Sequence, residues 1–229
     1  VRASVALALA AFTITTQNVR VTLPPREATH DIRQAARHSS VVMTQEMKHR
    51  QAWRFRPAGW GSSHAPSMPG VRRIDRGDCA TYWDRSRWHK LRAYAVPITY
   101  APFKHGHRWA LVTILRSVPR PAVRLAVVNV HMVTRTLDRR AVFARGVSRL
   151  RALVAVLRAE IGPVVVGGDW NRRYLLRARF RGLDSQRPPR GTIPNGGRID
   201  YVFTTGRVAG VRVIGRTYSD HNGVRFRLR

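Results

Sequence analysis

The sequence predicts an α/β fold organised around buried β-strands, and three observations carry that prediction. Short β-branched runs recur from Thr13–Val19 to Val224–Leu228. Helical apolar spacing appears over Arg26–His38 and again over Asp138–Glu160, and runs such as Val164-Val165-Val166 show no polar alternation. A strand that is apolar on both faces is one that is covered on both faces, as in a sheet held between other layers.

At 229 residues and 26.0 kDa, one continuous core accommodates the whole chain. The expected organisation is therefore a single domain over residues 13–229, preceded by a segment over 1–12. That segment, Arg2 followed by apolar Ala3 to Phe12, reads equally as a lead-in or as a signal segment cleaved near Ala10 or Ala11. It is well short of the roughly 20 apolar residues of a membrane span. A composition of 44% hydrophobic and 24% charged residues excludes global disorder. The lone Cys79 rules out an intrachain disulfide framework and reads as a buried thiol.

Each element has its own signature. Thr13 to Val19 alternates β-branched and polar residues, while Arg26 to His38 sets Ile32, Ala35 and Ala36 at helical spacing. Val41 to Glu46 is an apolar run that turns polar at its end, as expected of a buried strand delivering Glu46 to a sheet edge. His49 to Gly77 is rich in Gly, Pro and Ser and predicts a long loop bordering a substrate groove. Cys79–Trp83, Leu91–Ile98, Trp109–Leu115 and Leu125–Val130 read as successive strands, with Pro119 and Pro121 marking the last turn between them.

Asp138 to Glu160 sets Val142, Val147, Leu150, Leu153, Val154 and Leu157 on one helix face and stops before Gly162-Pro163. Val164 to Asp169 is a buried strand ending in a glycine pair, and Ile199–Thr204, Val211–Ile214 and Val224–Leu228 supply the closing strands.

The charge is extreme: 42 Lys+Arg against 12 Asp+Glu give a formal +30 and a pI near 12.0. Such a field concentrates polyanions, and nucleic acid is the first partner it suggests. Only Lys48, Lys90 and Lys104 are lysines, and an arginine bias together with abundant Ala, Val and Gly is also what GC-rich coding produces. Nothing in the sequence implies a protein partner.

Against that excess of arginine, the placement of the scarce acids is informative. Glu46, Asp169, Asp200 and Asp220 each lie beside or at the end of an apolar β-like run. Singly, such residues cap helices, form turns or pair with arginine. Together they supply the hard oxygen ligands from several strand tips that Mg²⁺ or Mn²⁺ requires. Asn18 and Asn171 stand at the same tips and can orient a water or a phosphate without adding charge.

Six segments then occur in a characteristic order: Thr16-Gln17-Asn18, Thr44-Gln45-Glu46, Asn129-Val130-His131, Gly168-Asp169-Trp170-Asn171, Arg198-Ile199-Asp200-Tyr201 and Ser219-Asp220-His221. On these motifs the chain resembles the endonuclease/exonuclease/phosphatase superfamily, the fold shared by DNase I-like nucleases. The resemblance implies a four-layer α/β sandwich, with two mixed β-sheets packed face to face, flanked by helices, and a site at one rim.

Carried over position by position, the resemblance makes Glu46 the principal metal ligand with Asn18 assisting, and makes Asp169, Asn171 and Asp220 the rest of the metal and phosphate site. It makes His221 the general base, oriented by Asp200, with Asp169 the alternative for activating water. His131 would contact the scissile phosphate and protonate the leaving oxygen, supported by Asn129, which would itself stand at the substrate. Hydrolysis of a phosphodiester needs such a set: a base, a cation for the developing charge, and groups that fix in-line attack.

The stretch from Arg177 to Arg198 carries Arg190 and Arg198 among several arginines and lies between two of the motifs, a natural place to hold backbone phosphates. Three functions follow: a sequence-tolerant nuclease, a phosphodiesterase or phosphatase for a lipid headgroup or small phosphoester, and a non-catalytic basic binding protein. All the residue types that catalysis needs are present.

Overall fold

The structure, a computed structural model, describes residues 12–47, 52–65, 78–100, 107–134, 140–172, 180, 182–215 and 217–229. The expected lead-in or signal segment lies outside the described residues apart from Phe12, which opens the first strand.

Two sheets form the body. One has six strands: β1 (Phe12–Asn18), β2 (Val41–Gln45), β3 (Trp60–His64), β4 (Ala80–Asp84), β10 (Val208–Ile214) and β11 (Gly223–Leu228), in the order β10-β11-β1-β2-β4-β3. The other has five: β5 (Trp88–Thr99), β6 (Arg108–Ser117), β7 (Arg124–His131), β8 (Val164–Asp169) and β9 (Asp200–Thr204), in sequence order. Both are mixed, for β1–β2 and β7–β8 pair in parallel and the remaining pairs are antiparallel.

The strands are apolar on both sides because each sheet has two partners. Between the sheets, Ile14, Met43, Val127, Val165, Val202 and Phe226 form one cluster. On the outer face of the five-stranded sheet, Val128, Val164, Val166 and Phe203 pack against Val147, Leu150, Val154 and Leu157 of α2 (Arg140–Glu160). On the outer face of the six-stranded sheet, Val42 and Tyr82 pack against Ala28, Ile32 and Ala35 of α1 (Pro25–Ala36). The order helix, sheet, sheet, helix is the four-layer sandwich that the family resemblance implies. Among the described residues, no helix is long and apolar enough to cross a membrane.

The predicted elements agree with those observed to within a few residues at each end, with one omission. The loop expected over 49–77 contains β3, whose Trp-Gly-Ser-Ser-His sequence has little β propensity. Tertiary packing supplies what the sequence lacks. β3 pairs along its length with β4, and Gly61 leaves room for the Trp83 ring, which would come within 2.3 Å of a Cβ at that position. Residues 49–51 and 66–77 of the same loop lie outside the described residues.

Strand direction places the functional rim. β1, β2, β7 and β8 end there, whereas β4, β6, β9 and β11 begin there, so both sheets present chain ends to one edge. The glycine pair in β8 lets that strand press against its neighbour immediately before Asp169. Gly168 has φ 146°, and a Cβ on it would stand 1.8 Å from the Val130 carbonyl oxygen, so no other residue fits.

Candidate active site

At this rim, Asp169 is the meeting point. It ends β8 and is buried, and its Oδ2 accepts a hydrogen bond from Asn18 Nδ2 at 3.0 Å. The same Asn18 nitrogen donates to Glu46 Oε1 at 3.0 Å, and Val21 N donates to Glu46 Oε2 at 2.9 Å. One amide thus holds two carboxylates together. Asn18 Oδ1 is buried and has no hydrogen-bond partner among the described residues, a costly state for a polar atom unless something electropositive faces it. Glu46 and Asn171 both have left-handed backbones, φ 63° and 53°, conformations that non-glycine residues seldom hold away from functional sites.

Two histidines approach the same oxygen. His131 Nε2 lies 3.7 Å and His221 Nε2 3.9 Å from Asp169 Oδ2. Each ring is held at Nδ1 by a carboxylate on the opposite sheet. His221, just before β11, meets Asp200 Oδ2 of β9 at 3.2 Å. His131, at the end of β7, meets Asp78 Oδ2, just before β4, at 2.6 Å. Since a carboxylate only accepts, each Nδ1 carries the hydrogen and each Nε2 is left to face Asp169.

Electrostatics differ between the two pairs. For His221, burial lowers the pKa, but the charge and hydrogen bond of Asp200, with Asp169 and Asp220 nearby, outweigh it and push the ring up to about 10. For Asp78, burial raises the carboxyl, yet His131 and the Arg108 guanidinium, whose Nη1 donates at 3.1 Å, hold it below its usual range. Burial also pushes the adjacent Cys79 thiol well up, which keeps it protonated and inert.

The remaining predicted residues fall in different places. Asn171 stands beside the centre: its backbone N donates to Asp169 Oδ1 at 2.8 Å and its Nδ2 to Met132 O at 2.9 Å. Asp220 is exposed at the rim, its Oδ1 lying 3.4 Å from Ser219 Oγ. Asn129, expected at the substrate, is instead fully buried between the sheets. Its Oδ1 accepts from Gln45 Nε2 at 2.7 Å, and its Nδ2 donates to the carbonyls of Ala80 and Thr44 at 2.8 and 3.0 Å, so the amide braces the scaffold beneath His131. Arg190 donates to Val213 O of β10 at 3.5 Å, and Arg198 to Pro189 O at 3.0 Å.

Three residues join the site without having been expected there. Asp78 and Arg108 complete the His131 pair. Asp31, on α1, is buried and accepts from Tyr218 N and Ser219 N, both at 2.9 Å. Ser219 Oγ in turn donates to Asn18 O at 2.7 Å and accepts from His221 N at 3.2 Å, so the helix fixes the loop that carries Asp220 and His221. No local pattern marks these residues, because their partners are remote in sequence.

Asp169, Asp200 and His221 are all buried and have ligand atoms within 4.8 Å of one another, close enough to hold a metal ion. Asn18 Nδ2 ties Glu46 to Asp169, and carboxylate oxygens suit a hard divalent cation.

The family model described as Endonuclease/Exonuclease/phosphatase family matches residues 15–221. The chain belongs to this family, whose members are phosphoester hydrolases that use divalent metals. No curated protein matches the sequence. Among solved structures, the chain is similar to the Bacteroides thetaiotaomicron mannosyl-6-phosphatase Bt3783, with TM-score 0.75, 16% identity and coverage of 95% of this chain and 99% of that one. It is also similar to the human Nocturnin catalytic domain with bound sulfate, with TM-score 0.70, 17% identity and coverage of 96% and 94%. D. rerio TDP2 complexed with a single-strand DNA product gives TM-score 0.70, 16% identity and coverage of 96% and 99%. At these identities the likeness is one of fold.

Proposed function

We propose that this protein is a divalent-cation-dependent phosphodiester hydrolase and that its substrate is nucleic acid, cut with little regard to sequence. The observation that carries the reading is the convergence of two carboxylate-held imidazoles on Asp169 Oδ2, beside the Glu46–Asn18 pair. The net charge of +30 favours a polyanionic substrate over a small phosphoester, because every added phosphate gains from the field.

Glu46, Asn18 and Asp169 would hold Mg²⁺ or Mn²⁺, with Asn171 and Asp220 around them. The cation would offset charge on the phosphoryl oxygens and, by neutralising Asp169, ease the hold of His221 on its proton. His221 Nε2 takes the proton of the attacking water while Asp200 keeps Nδ1 protonated and the ring in place. His131, with Nδ1 fixed on Asp78, presents Nε2 to the phosphate and returns a proton to the leaving oxygen. Arg190 and Arg198 serve neighbouring backbone phosphates.

Incubation of the purified protein with supercoiled plasmid tests this reading. Nicking is expected with Mg²⁺ and is lost with EDTA and in Glu46→Ala or His221→Ala. Cutting that survives either substitution would overturn the residue assignments. Hydrolysis of sphingomyelin, an inositide or a sugar phosphate with intact plasmid would overturn the choice of substrate.

A further inference from the structure

Two exposed tyrosines adjoin, along the chain, the elements that carry the two histidine pairs. Tyr100 follows β5, one residue past the Thr99–Arg108 pairing, and Arg108 is the arginine bound to Asp78 of the His131 pair. Tyr100 is 72% exposed, the most exposed large hydrophobic side chain among the described residues, and its ring packs on His107 with centroids 4.3 Å apart. On the other side, Tyr218 directly precedes Ser219-Asp220-His221, is 55% exposed, and meets His30 of α1 edge-on with centroids 5.1 Å apart. Each tyrosine therefore has one side braced by an imidazole while much of its surface remains open to solvent.

Exposed aromatic faces are unfavourable in water, and here two belong to segments that lead into the candidate site of a highly basic protein. A flat face suits a flat partner, and every nucleobase offers one regardless of its identity. In a duplex those faces are already stacked on neighbouring bases, so only an unpaired base can reach a protein ring.

Building on the nuclease reading, we infer that Tyr100 and Tyr218 stack the bases on either side of the scissile phosphate, and that the preferred substrate is a single strand. His107 and His30 brace the two rings as positioning residues. The arrangement selects for unpaired bases rather than for any sequence.

The test compares hydrolysis of a single-stranded oligonucleotide, the same strand with abasic residues flanking the cut, and the matching duplex. The wild type is expected to favour the intact single strand over both others. Tyr100→Ala and Tyr218→Ala should each reduce that preference about tenfold, the scale of one lost base stack. Tyr100→Trp and Tyr218→Phe should retain it. Equal losses on all three substrates, or an unchanged preference, would overturn the inference while leaving the nuclease reading intact. A wild type that cuts none of the three strands but hydrolyses a sugar phosphate would remove both readings together.

Discussion

His131 and His221 aim their Nε2 atoms at a single oxygen, Asp169 Oδ2, from 3.7 and 3.9 Å. With a phosphodiester between two rings held in this way, one ring takes a proton from the attacking water while the other returns one to the leaving oxygen. The two substitutions His131→Ala and His221→Ala should therefore each lower kcat about 10²–10⁴-fold. Because the rings act on one reacting group, the double variant should fall far short of the product of the two losses. Single-turnover rates for the four proteins check this, and multiplicative losses would show that the rings act in separate steps.

Asp78 should matter to stability as well as turnover. Its carboxylate accepts from both His131 and Arg108, whose side chains are only 7% and 5% exposed. Asp78→Asn leaves a buried guanidinium without its counter-charge, a loss of about 3–5 kcal/mol for such a pair. Urea unfolding should show the midpoint falling. An unchanged midpoint would mean that water reaches Arg108.

The pH dependence of stability follows from His221. Its pKa rises from an ordinary 6.5 to about 10 in the folded protein, so the native state holds this proton more tightly than the unfolded chain. The stabilisation is complete below about 6.5, declines as the pH rises, and is gone beyond about 10. In EDTA, wild type should lose stability between about pH 6.5 and pH 10, and His221→Gln should lose less over the same interval. Parallel curves would show that the Asp200–His221 pair holds no extra proton.

The loop before β11 should depend on Asp31. Each carboxylate oxygen accepts one backbone N–H, from Tyr218 and from Ser219. An asparagine would turn an NH₂ group toward one of them, leaving a buried donor unsatisfied at a cost of about 1–3 kcal/mol. Asp31→Asn should thus lower both the melting temperature and kcat, since Ser219 also positions His221 N and Asn18 O. Full activity in a destabilised variant would separate the helix from the site.

Gly168→Ala offers the sharpest packing test. With φ at 146° and Val130 O only 1.8 Å from where the alanine methyl would sit, the substitution requires β8 to move away from β7, displacing Asp169. Loss of activity with the circular dichroism spectrum retained is the expected result; wild-type turnover would mean that β8 tolerates the shift.

Much of the fold and of the site is legible in the sequence because strand ends are written locally. Glu46, Asp169 and Asp200 adjoin apolar runs, and those runs read as buried strands. Asp78 adjoins the Cys79–Trp83 run in the same way but belongs to none of the six motifs, and only sheet packing brings it to His131, 53 residues away. Asn129 is placed correctly on β7 by its motif but given the wrong surroundings, since a residue near a strand tip can turn toward the opposite sheet as easily as toward solvent. β3 escapes notice because its pairing with β4, not its own composition, makes it a strand.

Three of the bonds that hold the centre run from one sheet to the other: Asn18 to Asp169, Asp78 to His131, and Asp200 to His221. The reacting geometry is consequently a function of the gap between the two halves, which the Gln45–Asn129 amide contact helps to set. A bulkier residue at Met43 or Val127, deep in the interior and remote from any phosphate, would widen that gap and should abolish turnover while the molecule still melts cooperatively.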